Sequence, residues 1–233
     1  MKKVFLDFIL GALLFSFLSA QEWEQSFIAG NLDINGLFMG GSEVLHLVPH
    51  KNKLFASIGY WEDENNIWYG GNDLNLGWAQ IICLENEDDS WKIDFDLGLN
   101  YLRPEILKQV IFTKDYNGNT LDAPDTLLIV GAYSPNYISG IVTANIYVWN
   151  NVSGLWDQVF IYAGGFHADE NYSICYIDIY TYQVTGIDNL IISVGSHVIC
   201  SGIYNSNKVG TIEIVLYPYI GSFSIRSLVI PLP

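Results

Sequence analysis

The sequence predicts an all-β, propeller-like chain of about three four-stranded antiparallel blades, either a partial ring or one that further copies complete. Three observations lead there. The stretch 78–91 returns without a gap as 143–156, a constant offset of 65 residues (143 − 78 and 156 − 91). The same alternation appears a third time in Thr211-Ile212-Glu213-Ile214-Val215-Leu216, 66 residues beyond Ile146 (212 − 146). Half of the residues are hydrophobic and 15% are aromatic. With frequent β-branched side chains, that composition favours buried strands and excludes a disordered chain.

Residues 1–20 stand apart. Lys2 and Lys3 precede an apolar run over 4–18 that ends in Ser19-Ala20, the pattern of a signal peptide. The run is short for a bilayer span. A cleaved secretory signal and an extracytoplasmic protein are expected, with an uncleaved N-terminal anchor as the alternative. No span is expected once the signal is removed. Residues 21–43 are glycine-rich and read as irregular, with one strand-like piece at 25–29.

The first blade, 44–105, has predicted strands at 44–48, 54–59, 78–84 and 91–97, with Lys51-Asn52-Lys53 as a turn. The second, 106–173, has strands at 106–113, 125–132, 143–149 and 155–162. The third, 174–233, has strands at 174–182, 189–195, 210–217 and 222–230, with 196–209 as a loop. The only helical candidate of any length is 103–110, and it is short. In the strand at 78–84, Ala79, Ile81 and Cys83 alternate with Gln80, Ile82 and Leu84. Both faces are mostly apolar, which suits a sheet held between two others. Propellers close with about four to eight blades. A three-blade arc therefore implies a longer protein, ring completion by self-association, or a tighter wrap.

A formal net charge of −15 repels phosphate backbones, so a nucleic-acid partner is excluded, and anionic membrane surfaces are disfavoured. The cysteine count is odd: Cys83, Cys175 and Cys200. Cys175 and Cys200 are placed to meet across a hairpin, whereas Cys83 reads as a small buried hydrophobe.

The run Asp115-Tyr116-Asn117-Gly118-Asn119 is followed by Asp125-Thr126-Leu127-Leu128-Ile129-Val130-Gly131-Ala132 and Ala144-Asn145-Ile146-Tyr147-Val148-Trp149. Together they resemble the FG-GAP repeat of integrin-α-type propellers. The resemblance covers the second blade and extends faintly to Asp188-Asn189-Leu190-Ile191-Ile192-Ser193-Val194-Gly195. In the first blade only the strands agree. It implies a calcium loop with oxygen ligands from Asp115, Asn117 and Asn119, completed by a later acid such as Asp125. Thr120 stands where the family usually has glycine, and Asp125 is off the usual spacing. Asn117-Gly118 is equally the signature of a tight hairpin turn. The cofactor expectation is therefore none, or calcium.

In a propeller the loops between second and third strands gather on one face, where ligands bind. Those loops are 60–77, 133–142 and 196–209. They offer Tyr60, Trp61, Asp63, Trp68 and Tyr69, then Tyr133 and Tyr137, then His197 and Tyr204 as candidate binding residues. Aromatic faces beside carboxylates and amides suit sugars, although Trp61 and Trp68 would equally anchor their own loop. His46, His50, His167 and His197 are scattered, and no nucleophile elbow or phosphate loop is present. The expected function is a secreted, non-catalytic module that binds a glycan or a protein. One alternative is a glycoside hydrolase using acids of the 60–77 loop, which requires two carboxyls at a set separation. The other is a structural fragment of a larger propeller. Asn151-Val152-Ser153 and Asn171-Tyr172-Ser173 match the N-glycosylation triplet.

Overall fold

The computed structural model describes residues 25–60, 79–98, 101, 103–136, 141–164, 173–195, 198–205 and 211–217. Those residues form an all-β structure without a helix. The first sheet contains β1 (Glu43–His50), β2 (Lys53–Gly59), β3 (Gln80–Leu84) and β4 (Lys92–Asp96). The second contains β5 (Arg103–Lys114), β6 (Thr120–Asn136), β7 (Ile141–Trp149) and β8 (Trp156–Gly164). The third contains β9 (Ile174–Thr181), β10 (Asp188–Val194), β11 (Val198–Asn205) and β12 (Thr211–Tyr217). Each sheet is an antiparallel meander in chain order, and none closes on itself.

Four expectations change. The segment 103–110, read as a short helical candidate, is the start of β5, with Leu107 and Gln109 turned to the first sheet and Ile106, Lys108 and Val110 to the third. The second strand of the second unit runs on through Pro135, which pairs with Val142. The loop expected at 133–142 is therefore largely strand, and Tyr133 lies within β6, opposite Arg103 on one side and Ala144 on the other. In the third unit, 198–205 is the third strand and pairs with β10, Cys200 opposite Ile192. Thr211–Tyr217 is the fourth strand, with Ile212 opposite Tyr204. Ile212 is thus no counterpart of Ile81 and Ile146, which lie in third strands. The segment expected as a loop, 196–209, contains the third strand, and the alternation of a fourth strand is indistinguishable from that of a third. Finally, β10 separates Cys175 on β9 from Cys200 on β11, so the expected pair does not meet, and none of the three cysteines is in a disulfide. The strand expected at 222–230 lies outside the described residues, as do 1–20.

Side-chain alternation sorts the sheets into a stack. Phe55, Ile81 and Cys83 of the first sheet pack against Leu107, Leu128, Val130 and Trp149 of the second. The opposite face of the second sheet presents Phe112, Leu127, Ile129, Ala144, Ile146 and Val148 to Ile177, Leu190, Ile192 and Cys200 of the third. Fully burying a Phe, Leu or Ile side chain contributes roughly 1.5–3 kcal/mol, so these two layers hold the structure. Gly131 permits the second contact: a Cβ there would sit 2.8 Å from Ile106 Cγ2 and 2.9 Å from Ile174 Cδ1.

The face of the first sheet turned away from the second is covered by the segment before β1. Met39 is buried and Phe27 packs beside it, against Ala56, Ile58, Ile82 and Trp91. That segment, expected to be irregular, forms a small hairpin in which Leu32 bridges Phe38. Its turn, Asp33-Ile34-Asn35-Gly36-Leu37, repeats the chemistry of Asp115-Tyr116-Asn117-Gly118-Asn119. In both, the aspartate Oδ1 accepts the amides two and four residues on, at 2.8 to 2.9 Å, and the glycine has a positive φ, 79° and 82°. Such a turn needs Asx capping and a residue free of Cβ strain.

Candidate functional site

Two arrangements stand out: a polar chain between the sheets and a groove on the face of the third sheet turned away from the second. The interior chain begins at β5. Gln109 Nε2 lies 3.0 Å from His50 Nδ1, and His50 Nε2 lies 3.0 Å from Asn151 Oδ1. With the amide donating to Nδ1, the ring is neutral and its Nε2–H donates to Asn151. Asn151 Nδ2 donates to Asp125 Oδ1 at 3.0 Å and to the Thr126 carbonyl at 2.9 Å. Tyr204 then donates to Asp125 Oδ2 at 2.8 Å. His50 belongs to the first sheet, Gln109, Asp125 and Asn151 to the second, and Tyr204 to the third. One hydrogen-bonded chain therefore ties all three sheets. Burial holds the His50 pKa below its ordinary value of 6.5, and Lys51 adds to this, against the opposing pull of Asn151 and Asp125. The imidazole also sits edge-on to Trp149, with ring centroids 5.2 Å apart.

Backbone bulges supply a second set of ties. The register of β5 on β6 shifts between Phe112 and Lys114. The Thr113 and Lys114 amides there donate to Asp188 Oδ2 at 2.6 and 2.9 Å, and the Thr181 hydroxyl donates to Oδ1 at 2.6 Å. Burial would raise the Asp188 pKa, but these donors outweigh it and the value is lowered. The same device joins the hairpin to the first sheet. β3 and β4 shift register at Ile81/Ile82, and the Ile93 amide donates to Asp33 Oδ2 at 2.9 Å. Gln80, buried, completes that junction by accepting from the Gly40 amide at 3.0 Å and donating to the Phe38 carbonyl at 3.1 Å.

The predicted ligand rim divides accordingly. Tyr204 is a buried interior residue on a strand, packed on Phe112 with ring centroids 5.3 Å apart, and not part of a loop rim. Its phenol and ring both find partners between sheets, which is where an amphipathic aromatic gains most. Tyr133 lies within β6 and packs against the layer between the second and third sheets, with burial raising its pKa. Tyr60 is buried directly after β2. Trp61, Asp63, Trp68, Tyr69, Tyr137 and His197 lie outside the described residues. Asp115, Asn117 and Asn119 do come together, but around the turn itself: Asn119 Nδ2 donates to Asp115 Oδ2 at 3.1 Å. Asp125 is committed elsewhere, to Asn151 and Tyr204. Among the described residues no group of three His, Cys, Asp or Glu side chains is placed to hold a metal ion, and no helix is long and apolar enough to cross a membrane.

The second arrangement lies on the third sheet, on the face turned away from the second. On β10 and β11 the positions opposite the interior set are Asn189, Ile191, Ile199, Ser201 and Ile203. With Tyr180, Tyr182, Thr185 and Ile187 they line a groove of about 580 Å³. It is apolar at its floor, with Tyr182 48% exposed at its edge, and Asp178, which pairs with Lys108 at 3.0 Å, lies across from Ile191 on the same face. The sequence held a usable signal here, alternation over 187–191 and 199–203, hidden once 196–209 was read as a loop. Compared with known proteins, the chain matches no family model and has no significant match among curated sequences.

Proposed function

We propose that this chain is a non-catalytic, extracytoplasmic binding module built of propeller-type blades, and that it binds through the open face of the third sheet. The observation that carries the reading is the groove lined by Tyr180, Tyr182, Ile187, Ile191, Ile199 and Ile203. A groove lined mainly by apolar side chains with a few polar groups among them is the usual form of a binding site. Its four isoleucines favour an apolar segment of a protein over a glycan, the polar atoms on offer being those of Asn189, Ser201, Thr185 and the two tyrosine hydroxyls. The propeller reading is supported by the side-by-side packing of β1 with β5 and of β5 with β9, which places successive first strands together. The non-catalytic reading is supported by the interior acids Asp125 and Asp188, whose carboxylate oxygens are occupied by hydrogen bonds within the fold.

The test screens the chain against a displayed library of apolar peptides and an immobilised glycan panel, with chromogenic glycosides assayed alongside. Peptide binding that Ile191→Glu abolishes is expected. Glycan binding insensitive to Ile191→Glu, or glycoside turnover, would replace this reading with one of the loop-centred alternatives.

A further inference from the structure

The sequence contains two Asn-Gly steps, Asn35-Gly36 and Asn117-Gly118. Such a step carries its own chemistry. The glycine nitrogen attacks the side-chain carbonyl carbon of the asparagine, closes a five-membered succinimide and expels ammonia. Water then opens that ring at either carbonyl, leaving aspartate or an isoaspartate whose main chain runs through the former side chain. Glycine makes the attack easy in an unfolded chain, because no Cβ hinders the approach. Both asparagines are exposed, so exclusion from water protects neither.

The two turns restrain the attack in the same way. The Gly36 amide donates to the Asp33 carbonyl at 2.9 Å, and the Gly118 amide donates to the Asp115 carbonyl at 3.0 Å. Each nucleophilic nitrogen is thus held in a closed turn, its N–H committed to a backbone oxygen. The aspartate side chain braces the same peptide from both sides. Asp33 Oδ1 accepts the Asn35 and Leu37 amides, each at 2.8 Å. Asp115 Oδ1 accepts those of Asn117 and Asn119, at 2.9 and 2.8 Å. These bonds bracket the Asn-Gly peptide and fix the rotation about the asparagine Cα–C bond that the attack needs.

We infer that Asn35 and Asn117 are latent deamidation sites and that Asp33 and Asp115 guard them, each carboxylate keeping the glycine nitrogen off the asparagine side chain while its turn is closed. Reaction at Asn117 is one-way. Isoaspartate lengthens the main chain just before Gly118, which lies so near the third sheet that a Cβ on it would sit 2.7 Å from the Thr185 carbonyl oxygen. A reacted turn therefore does not settle back on residues 182–187. The two guards differ in outside support. Asp33 Oδ2 also accepts the Ile93 amide of β4 at 2.9 Å, whereas Asp115 Oδ2 is met from within its own turn by Asn119 Nδ2 at 3.1 Å. Asp115 is thus the guard that can be removed with less disturbance to the sheets, and Asn35 in the same chain is the reference.

Peptide mapping over time at mildly alkaline pH tests this on the full chain, folded and in urea. Both asparagines should convert slowly in folded wild type and rapidly in urea. Asp115→Ala removes two hydrogen bonds of ordinary strength and should raise the Asn117 rate about tenfold, with Asn35 still slow. Asp115→Asn, whose side-chain carbonyl still accepts, should restore the slow rate. An Asn117 rate in folded wild type equal to that in urea overturns the inference, as does Asp115→Ala with no effect at Asn117. Equal acceleration of Asn35 in Asp115→Ala means general loosening of the chain, and overturns the guard role as well.

Discussion

The Tyr204 hydroxyl donates to Asp125 Oδ2 at 2.8 Å across the junction of the second and third sheets. The acid sits on β6 and the phenol on β11, 79 residues apart in the chain. Tyr204→Phe keeps the ring on Phe112 and deletes only the donor. One Asp125 oxygen then loses its partner at a half-buried position. A loss of about 1–2 kcal/mol is expected, read as a lower urea midpoint with an unchanged slope.

His50 gives stability a pH dependence of known sign. Burial depresses its folded-state pKa below 6.5. Between the two values the unfolded chain binds more protons than the folded one, so stability is complete above 6.5 and falls as pH drops through the window below it. Protonation would also turn an Nδ1–H toward the Gln109 donor. Urea midpoints measured from pH 7.5 downward should fall as the ring titrates, and His50→Asn should flatten that part of the profile.

Asp188 behaves in the opposite range. Its lowered pKa means that its stabilisation is present above the ordinary carboxylate value of 3.8 and is lost as pH falls through the folded value. Asp188→Ala at neutral pH strands the Thr113 and Lys114 amides at the bulge. About 3 kcal/mol of destabilisation is expected, and hydrogen exchange at those two amides should accelerate locally as well.

Gly131 tests the packing of the second interface. Its backbone needs no positive φ, so Gly131→Ala brings no conformational penalty. The new methyl meets Ile106 and Ile174 at under 3 Å, and overpacking of this kind costs about 1–3 kcal/mol. Pairing it with Ile174→Val should recover part of the loss. Recovery by a distant core truncation instead would place the clash elsewhere.

Much of the layering was legible because it rests on a two-residue period. Ile81 and Ile146 do occupy matching third strands facing the next sheet, as their 65-residue offset implies. The first two strands of the third unit were legible as well, at 174–181 and 188–194; its third strand and the facing of its acid were not. Asp125 and Asp188 align in sequence, each opening a Leu-rich second strand. Yet Asp125 reaches from the second sheet toward Tyr204, and Asp188 reaches back from the third toward Thr113. A one-residue shift in a strand exchanges its two faces, and motif alignment is blind to it. The interior chain from Gln109 to Tyr204 was equally hidden. Its members come from three sheets, and no spacing rule links His50 to Asn151.

The Asn151 amide carries one further consequence. Both of its hydrogens are already used, one toward Asp125 and one toward the Thr126 carbonyl. Attaching an oligosaccharide replaces one of those hydrogens with a bulky, hydrated substituent. The triplet Asn151-Val152-Ser153 is therefore an acceptor only before the second sheet has closed around it. Sugar on that nitrogen would leave the Asn151 oxygen to accept from His50 but remove one of the two donations to Asp125 and the Thr126 carbonyl. A secretory host that modifies Asn-X-Ser during synthesis should yield less folded protein than one that does not, and Ser153→Ala should remove the difference.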